Sequence, residues 1–233
     1  MINAPLAVSL DMIHAVHILA PQTRIETGLF AAAPEATAGI ILPSALPLEA
    51  ALRQTWHAVV IPGLGHAHAQ SPALLMGGSV GALLCKIVSA VHAQGGRVAA
   101  SCSGTFVAAQ AGLLDGGNAT TSWWLAPQFR AAFPAVILDD RQMVCEDGRV
   151  LTGGGALAHI ELMQTLVRQL VGSEVADAVG GFMVSPRRGP QSAQGSVMQI
   201  PIVDPVVAEF IRLVGARLER AVPVAEIAAT LST

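Results

Sequence analysis

Charge is scarce in this chain. Only 12% of its 233 residues are Asp, Glu, Lys or Arg, and the formal net charge is -3, with a sequence pI of about 6.1. Without a basic field the molecule as a whole is not drawn to nucleic acid, so any DNA contact has to be local. Cysteine is also sparse. Cys85, Cys102 and Cys145 are too few and too scattered for a disulfide framework, and their spacing matches no zinc motif, which points to a reducing, cytoplasmic location. A basic leader is missing too. The apolar stretch Met1 to Ala20 carries Asp11, His14 and His17 inside the run, which argues against a signal peptide or membrane span and reads as a buried or half-buried helix. The mean hydropathy is high, +0.56, yet the apolar residues are largely alanine and valine and are interrupted by Gly and Pro. No membrane partner is expected. So apolar a chain points to a surface partly covered in a homodimer.

What the chain does have is a series of strand-length apolar runs alternating with segments of helical period. This is the pattern of an α/β domain, a flavodoxin-like, doubly wound parallel sheet with helices on both faces. Early strands are expected at Arg24 to Ala33 and Ile40 to Leu42. Trp56 to Ile61 reads as a strand running into the loop Pro62-Gly63-Leu64-Gly65. Pro72 to Gln94 reads as a helix closed by Gly95-Gly96, and Arg97 to Ser101 as a buried strand. Cys102-Ser103-Gly104-Thr105 turns directly into a helix, Phe106 to Ala111. Val136 to Leu138, Met143 to Cys145 and Val150-Leu151 follow as strands, the last two joined by an Asp147-Gly148 turn, before a long amphipathic helix, Ala156 to Val171. The composition changes after Val184. The expected organisation is a main domain over 1–185, an exposed Pro/Arg/Gly linker over 186–203, and a short helical tail over 204–233, with Asp204 to Arg220 in helical period and Pro223 opening another helix.

Cys102 is the residue with chemical promise. A side chain in a tight strand-to-helix turn is lifted out of the sheet, and a helix N-terminus stabilises an anion there. The Ser103 N–H, with one from the Gly63-Leu64 loop, would then cradle an oxyanion. The plainer reading is a small buried cysteine, which is a common fate of free thiols. A cysteine hydrolase also needs a base. His66 and His68 lie in the glycine loop, either reaching a ligand or merely solvated. His159 opens the long helix, either aimed at Cys102 or lodged in helix–sheet packing. Trp123 and Trp124, adjacent in a chain with 4% aromatics, either wall a ligand pocket or pack against the core or a partner. Cys85 and Cys145 read as core filler.

Taken together, Arg97-Val98-Ala99-Ala100-Ser101-Cys102-Ser103-Gly104-Thr105-Phe106, Ala111-Gly112-Leu113-Leu114-Asp115-Gly116, Ala119-Thr120-Thr121, Phe133-Pro134 and Asp147-Gly148-Arg149-Val150-Leu151-Thr152-Gly153 resemble the ThiJ/PfpI branch of class I glutamine-amidotransferase-like domains. Within that branch the chain looks most like the N-terminal domain of AraC-type, GlxA-like transcriptional regulators. Pro186-Arg187-Arg188 and the helix from Asp204 sit where such regulators have their linker and first DNA-domain helix, and Pro223 to Ala228 resembles the entry to a helix-turn-helix. Members of the branch often have histidine where this sequence has Ser122. Its enzymes carry an acid where the stretch near Pro5 and Leu6 has none.

The resemblance implies a ligand-sensing, dimerising domain. It would bind a small amide, amine or amino-acid-like effector in a pocket formed by Gly63, Leu64, His66, Ser103, Ser122, Trp123 and His159 around Cys102. No cofactor or metal is implied, and DNA would be reached only through a fuller C-terminal helix-turn-helix domain. The alternative is a cysteine-dependent hydrolase, isonitrile hydratase or glyoxalase-like enzyme of the same superfamily, with Cys102 as nucleophile and a relocated histidine base.

Overall fold

The computed structural model describes residues 3–32, 45–64, 78–183 and 209. The apolar N-terminal stretch forms α1 (Asn3–Leu19), which buries Met12, Ala15 and Val16 on one side. Short strands β1 (Phe30–Ala31) and β2 (Leu46–Pro47) pair in parallel, and a 3-10 turn (Leu48–Arg53) leads to β3 (Ala58–Ile61). Then come α2 (Ser79–Ala93), β4 (Arg97–Ser101), a 3-10 turn (Cys102–Gly104), α3 (Thr105–Gln110), β5 (Asn118–Ala119) and α4 (Ala126–Ala132). The chain continues through β6 (Ile137–Leu138), β7 (Val144–Asp147), β8 (Val150–Gly153), α5 (Ala158–Val171) and α6 (Ser173–Phe182).

The main sheet has the order β3-β4-β8-β7. β4 is parallel to both β3 and β8, and β7 is antiparallel to β8. Alternation along each strand feeds two cores, as the pleat requires. Val98 and Ala100 on β4, Val150 on β8 and Ile61 on β3 face a cluster with Leu84, Val88, Phe106, Val107 and Phe129. Ala99 and Leu151 face the opposite cluster, with Met12, Val16, Leu162, Met163, Leu166 and Val179. Helices therefore cover both faces, as the near-continuous apolar strands predict. Phe106, Phe129 and Phe133 interlock edge-on or tilted, with the Phe106 and Phe129 centroids 5.0 Å apart. This places three of the chain's six phenylalanines on the α3/α4 side.

Local signals set the element ends. Gly95-Gly96 closes α2 by donating the Gly96 N–H to Val91 O and the Gly95 N–H to His92 O, a paired cap that satisfies two terminal carbonyls. The β7–β8 hairpin closes on the pair Asp147 and Val150, so its two loop residues are Gly148 and Arg149. This is one position later than the expected Asp147-Gly148 turn. Gly148 sits at φ +56, where only glycine is unstrained. Asp147 is left to accept the Asn118 N–H at 2.6 Å.

Several expectations need revision. Of the strand expected over Arg24 to Ala33, only Phe30–Ala31 is in a sheet. Glu26, Thr27 and Gly28 are exposed, and β2 is only long enough to pair two residues. β5, α4 and α6 were not anticipated, and neither was the 3-10 turn at Leu48. The expected strand Ile40 to Leu42, the start of the helix at Pro72, and the linker and tail lie outside the described residues, apart from Glu209. By its contacts the chain divides into two compact units, Met1–Gln191 and Ser192–Thr233. Among the described residues no helix is long and apolar enough to cross a membrane.

Candidate functional site

β4 is buried along most of its length between β3 and β8, and it ends at Ser101. The chain turns through Cys102, whose φ of +54 makes it the only non-glycine among the described residues in the left-handed region. Such a conformation costs on the order of 1–3 kcal/mol and persists only where its surroundings enforce it. Four contacts do so. Gly104 is pressed so tightly against the end of β3 that a Cβ there would lie 2.4 Å from Ile61 O and 2.9 Å from Pro62 O. The Leu64 N–H donates to Ser103 Oγ at 2.9 Å. Thr121 Oγ1 donates to Cys102 O at 2.8 Å, and Thr105 Oγ1 donates to Thr120 O at 3.3 Å. The Cys102 side chain itself is half-buried, with Gly63 alongside. A Cβ at that glycine would sit 3.3 Å from Cys102 Cβ and 3.7 Å from its Sγ.

The segment Ala119 to Ser122 runs between the elbow and the end of β8, completely buried. The Thr120 N–H donates to Thr152 Oγ1 at 2.9 Å and its hydroxyl to Gln142 O at 2.9 Å. Ser122 Oγ donates to Gly154 O at 3.2 Å, so its hydroxyl proton is already committed to the backbone. Trp123 and Trp124 emerge from this segment half-exposed, at 49% and 50%, with ring centroids 5.6 Å apart and nearly perpendicular. The Trp124 indole lies over Gly155, at the approach to α5.

His159 is completely buried at the first turn of α5. Its Nδ1 is 2.9 Å from Ser101 Oγ and its Nε2 is 2.8 Å from Ser9 Oγ on α1. Ser9 Oγ in turn donates to Pro5 O at 3.0 Å. Burial disfavours the imidazolium and holds the His159 pKa down, from 6.5 to about 4, against a smaller opposing effect of the Pro5 backbone. The ring is therefore neutral near pH 7 and offers no free nitrogen to a ligand.

The structure thus brings Cys102, Ser103, Gly63 and Leu64 together around one elbow, while Ser122, next to the Thr121 that bonds Cys102 O, turns its hydroxyl to Gly154 O and is followed by Trp123. It sets His159 behind the elbow, bonded to the neighbour of Cys102. The Leu64 N–H expected to cradle an oxyanion is held by Ser103 Oγ. His66 and His68 lie outside the described residues. His57 and His92 belong to the far end of the sheet, where the Arg97 N–H donates to His57 O and Arg149 to His92 O. Cys85 is half-buried against the α3 side, its Sγ 3.8 Å from Val107 O, and burial pushes its pKa up. Burial and the neighbouring carboxylates, Asp147 foremost, raise that of Cys145. Among the described residues no group of three His, Cys, Asp or Glu could hold a metal. Sequence reasoning missed Ser101, Ser9 and Thr121. For Ser101 the available signal was a lone hydroxyl ending an apolar strand, whereas nothing local singles out Ser9 or Thr121.

Comparison with known proteins agrees with this architecture. The HTH-type transcriptional regulator GbdR of Pseudomonas aeruginosa is 29% identical over 138 residues, covering 58% of this chain and 37% of that one. The isonitrile hydratase of Pseudomonas putida is 39% identical over 87 residues, 37% of either chain. This chain therefore spans a little over a third of the length of these relatives. The crystal structure of an AraC family transcriptional regulator from Pseudomonas putida superposes on 78% of this chain and 92% of its own, with a TM-score of 0.62 at 18% identity, a likeness of fold. Residues 38–169, more than half of the chain and the whole elbow region, match the model of the DJ-1/PfpI family. With its covered sheet and cysteine elbow, the chain belongs to the DJ-1/PfpI family.

Proposed function

We propose that this chain provides the ligand-sensing, dimerising domain of a cytoplasmic AraC-family transcriptional regulator. Its site would hold a small amide, amine or amino-acid-like metabolite beside Cys102. One observation carries this reading. The described histidine beside the elbow has both nitrogens engaged and no exposure, and Ser122, where a relative's histidine is expected, spends its proton on Gly154 O. A reachable thiol-bearing elbow without a free base beside it suits binding better than turnover. Gly63, Leu64, Ser103 and Trp123 would line the site together with His66, while Ser122 and His159 fix its rear wall. The likeness to GbdR supports the regulatory role. In this reading residues 1–185 sense the ligand, 186–203 link, and 204–233 begin the helix-turn-helix domain through which DNA is reached.

The test is ligand-observed saturation-transfer NMR with a panel of small amides, amines and amino acids. One class should receive saturation from the wild-type protein, and Trp123→Ala, a half-exposed position, should weaken its affinity roughly tenfold. If no class is saturated, or if binding ignores Trp123→Ala, the reading fails.

A second reading is favoured by the 39% identity to isonitrile hydratase over 87 residues. In it Cys102 is a nucleophile, and His66 or His68 supplies the base.

A further inference from the structure

The buried polar contacts behind the elbow form a continuous chain from Ser101 through His159 and Ser9 to Pro5 O. Ser9 Oγ has one proton, and the Pro5 carbonyl 3.0 Å away can only accept it. With that proton given to Pro5 O, Ser9 Oγ acts as acceptor toward His159 and the ring carries its proton on Nε2. In the neutral ring Nδ1 is then an acceptor, so Ser101 Oγ donates to it at 2.9 Å. Every member is satisfied once: Ser101 donates to His159, His159 to Ser9, and Ser9 to the α1 backbone. All three side chains are buried, Ser101 and His159 at 0% and Ser9 at 8% exposure. Burial shields these bonds from bulk solvent, and breaking one leaves a buried group unpaired.

This chain links two distant parts of the sequence, the end of β4 and α1. One end is Ser101, the residue before the left-handed Cys102. The other is the first half of α1, a helix that packs on α5 and α6. We propose that His159 is a positioning residue that couples α1 to the Cys102 elbow through Ser101, so that a shift of α1 changes the setting of the Cys102 thiol. The elbow and the α1/α5/α6 layer are then two ends of one element, and whatever biases one end biases the other. The coupling holds whether or not Cys102 contacts a ligand.

The experiment reads the alkylation rate of each cysteine by peptide-resolved mass spectrometry after iodoacetamide pulses. The proteins compared are the wild type, Ser9→Ala, His159→Leu and the double variant. Cys145, on β7 and outside the chain, reports general loosening. Ser9→Ala should change the Cys102 rate by about threefold or more while leaving Cys145 unchanged, and should add nothing in the His159→Leu background. A Cys102 rate that stays constant, moves in step with Cys145, or responds equally to Ser9→Ala in both backgrounds overturns the proposal. Should His159→Leu fail to fold, the ring nitrogen resonances of the wild-type protein decide. The proposal requires the Nε2–H tautomer with a slowly exchanging proton, and an Nδ1–H tautomer contradicts it.

Discussion

Gly104→Ala is expected to destabilise the first unit by about 3 kcal/mol, although alanine is the better helix former. The backbone at Gly104 has ordinary helical angles, φ -61 and ψ -27, so conformation is no obstacle. The obstacle is space. A Cβ would meet Ile61 O at 2.4 Å, Pro62 O at 2.9 Å and Ile61 Cγ2 at 3.1 Å. Two of these atoms are backbone carbonyls at the end of β3, which cannot rotate away as a flexible side chain could. The elbow or β3 must therefore separate, and the Leu64 N–H bond to Ser103 and the packing of Gly63 on Cys102 separate with them. Urea unfolding should show the loss, and the melting temperature should fall by roughly 6–12 °C for a domain of this size. A change below about 0.5 kcal/mol would mean that the elbow does not depend on this close approach.

Acid should weaken the fold through one residue over a defined window. His159 titrates near 6.5 when unfolded and at about 4 when folded, because burial opposes its charge. Above pH 6.5 both states hold it neutral, and its contribution to stability is complete. As pH falls below 6.5 the unfolded chain takes up a proton that the folded chain refuses, so stability declines until about pH 4. The loss across that window is about 3 kcal/mol. Asp139, held down to about 2 chiefly by its hydrogen bonds from Arg141, is partly exposed and acts below this range. Unfolding free energies measured between pH 7 and pH 4 should therefore fall steeply for the wild type and much less for His159→Leu. Parallel slopes for the two proteins would sink the assignment of the titration to His159.

The legible parts of this molecule are those whose cause is local. Arg97–Ser101 is apolar throughout because both faces of β4 are covered, and the strand matches the sequence reading residue for residue. Gly95-Gly96 and Gly148 mark their turns because the backbone there requires them. β5 escaped notice because its two residues, Asn118 and Ala119, carry no period, whereas its partner β6 falls within the strand expected over Val136 to Leu138. The Gly180-Gly181 pair obscured α6, which ties back to α5 through a contact between the Arg168 guanidinium and the Asp177 carboxylate. At the site, Cys102 and its elbow follow from a strand, a turn and a helix in sequence. The role of His159 does not. It depends on Ser9, 150 residues away, and on Ser101 across the sheet, and nothing in the chain's periodicity connects the three.

The central claim is that the elbow binds rather than converts its ligand, and turnover by the wild-type protein tests it most directly. Small amides, isonitriles and 2-oxoaldehydes should be recovered unchanged after prolonged incubation, at the rate of buffer alone. Consumption of any of them that Cys102→Ser abolishes would contradict the account and make the elbow an active site.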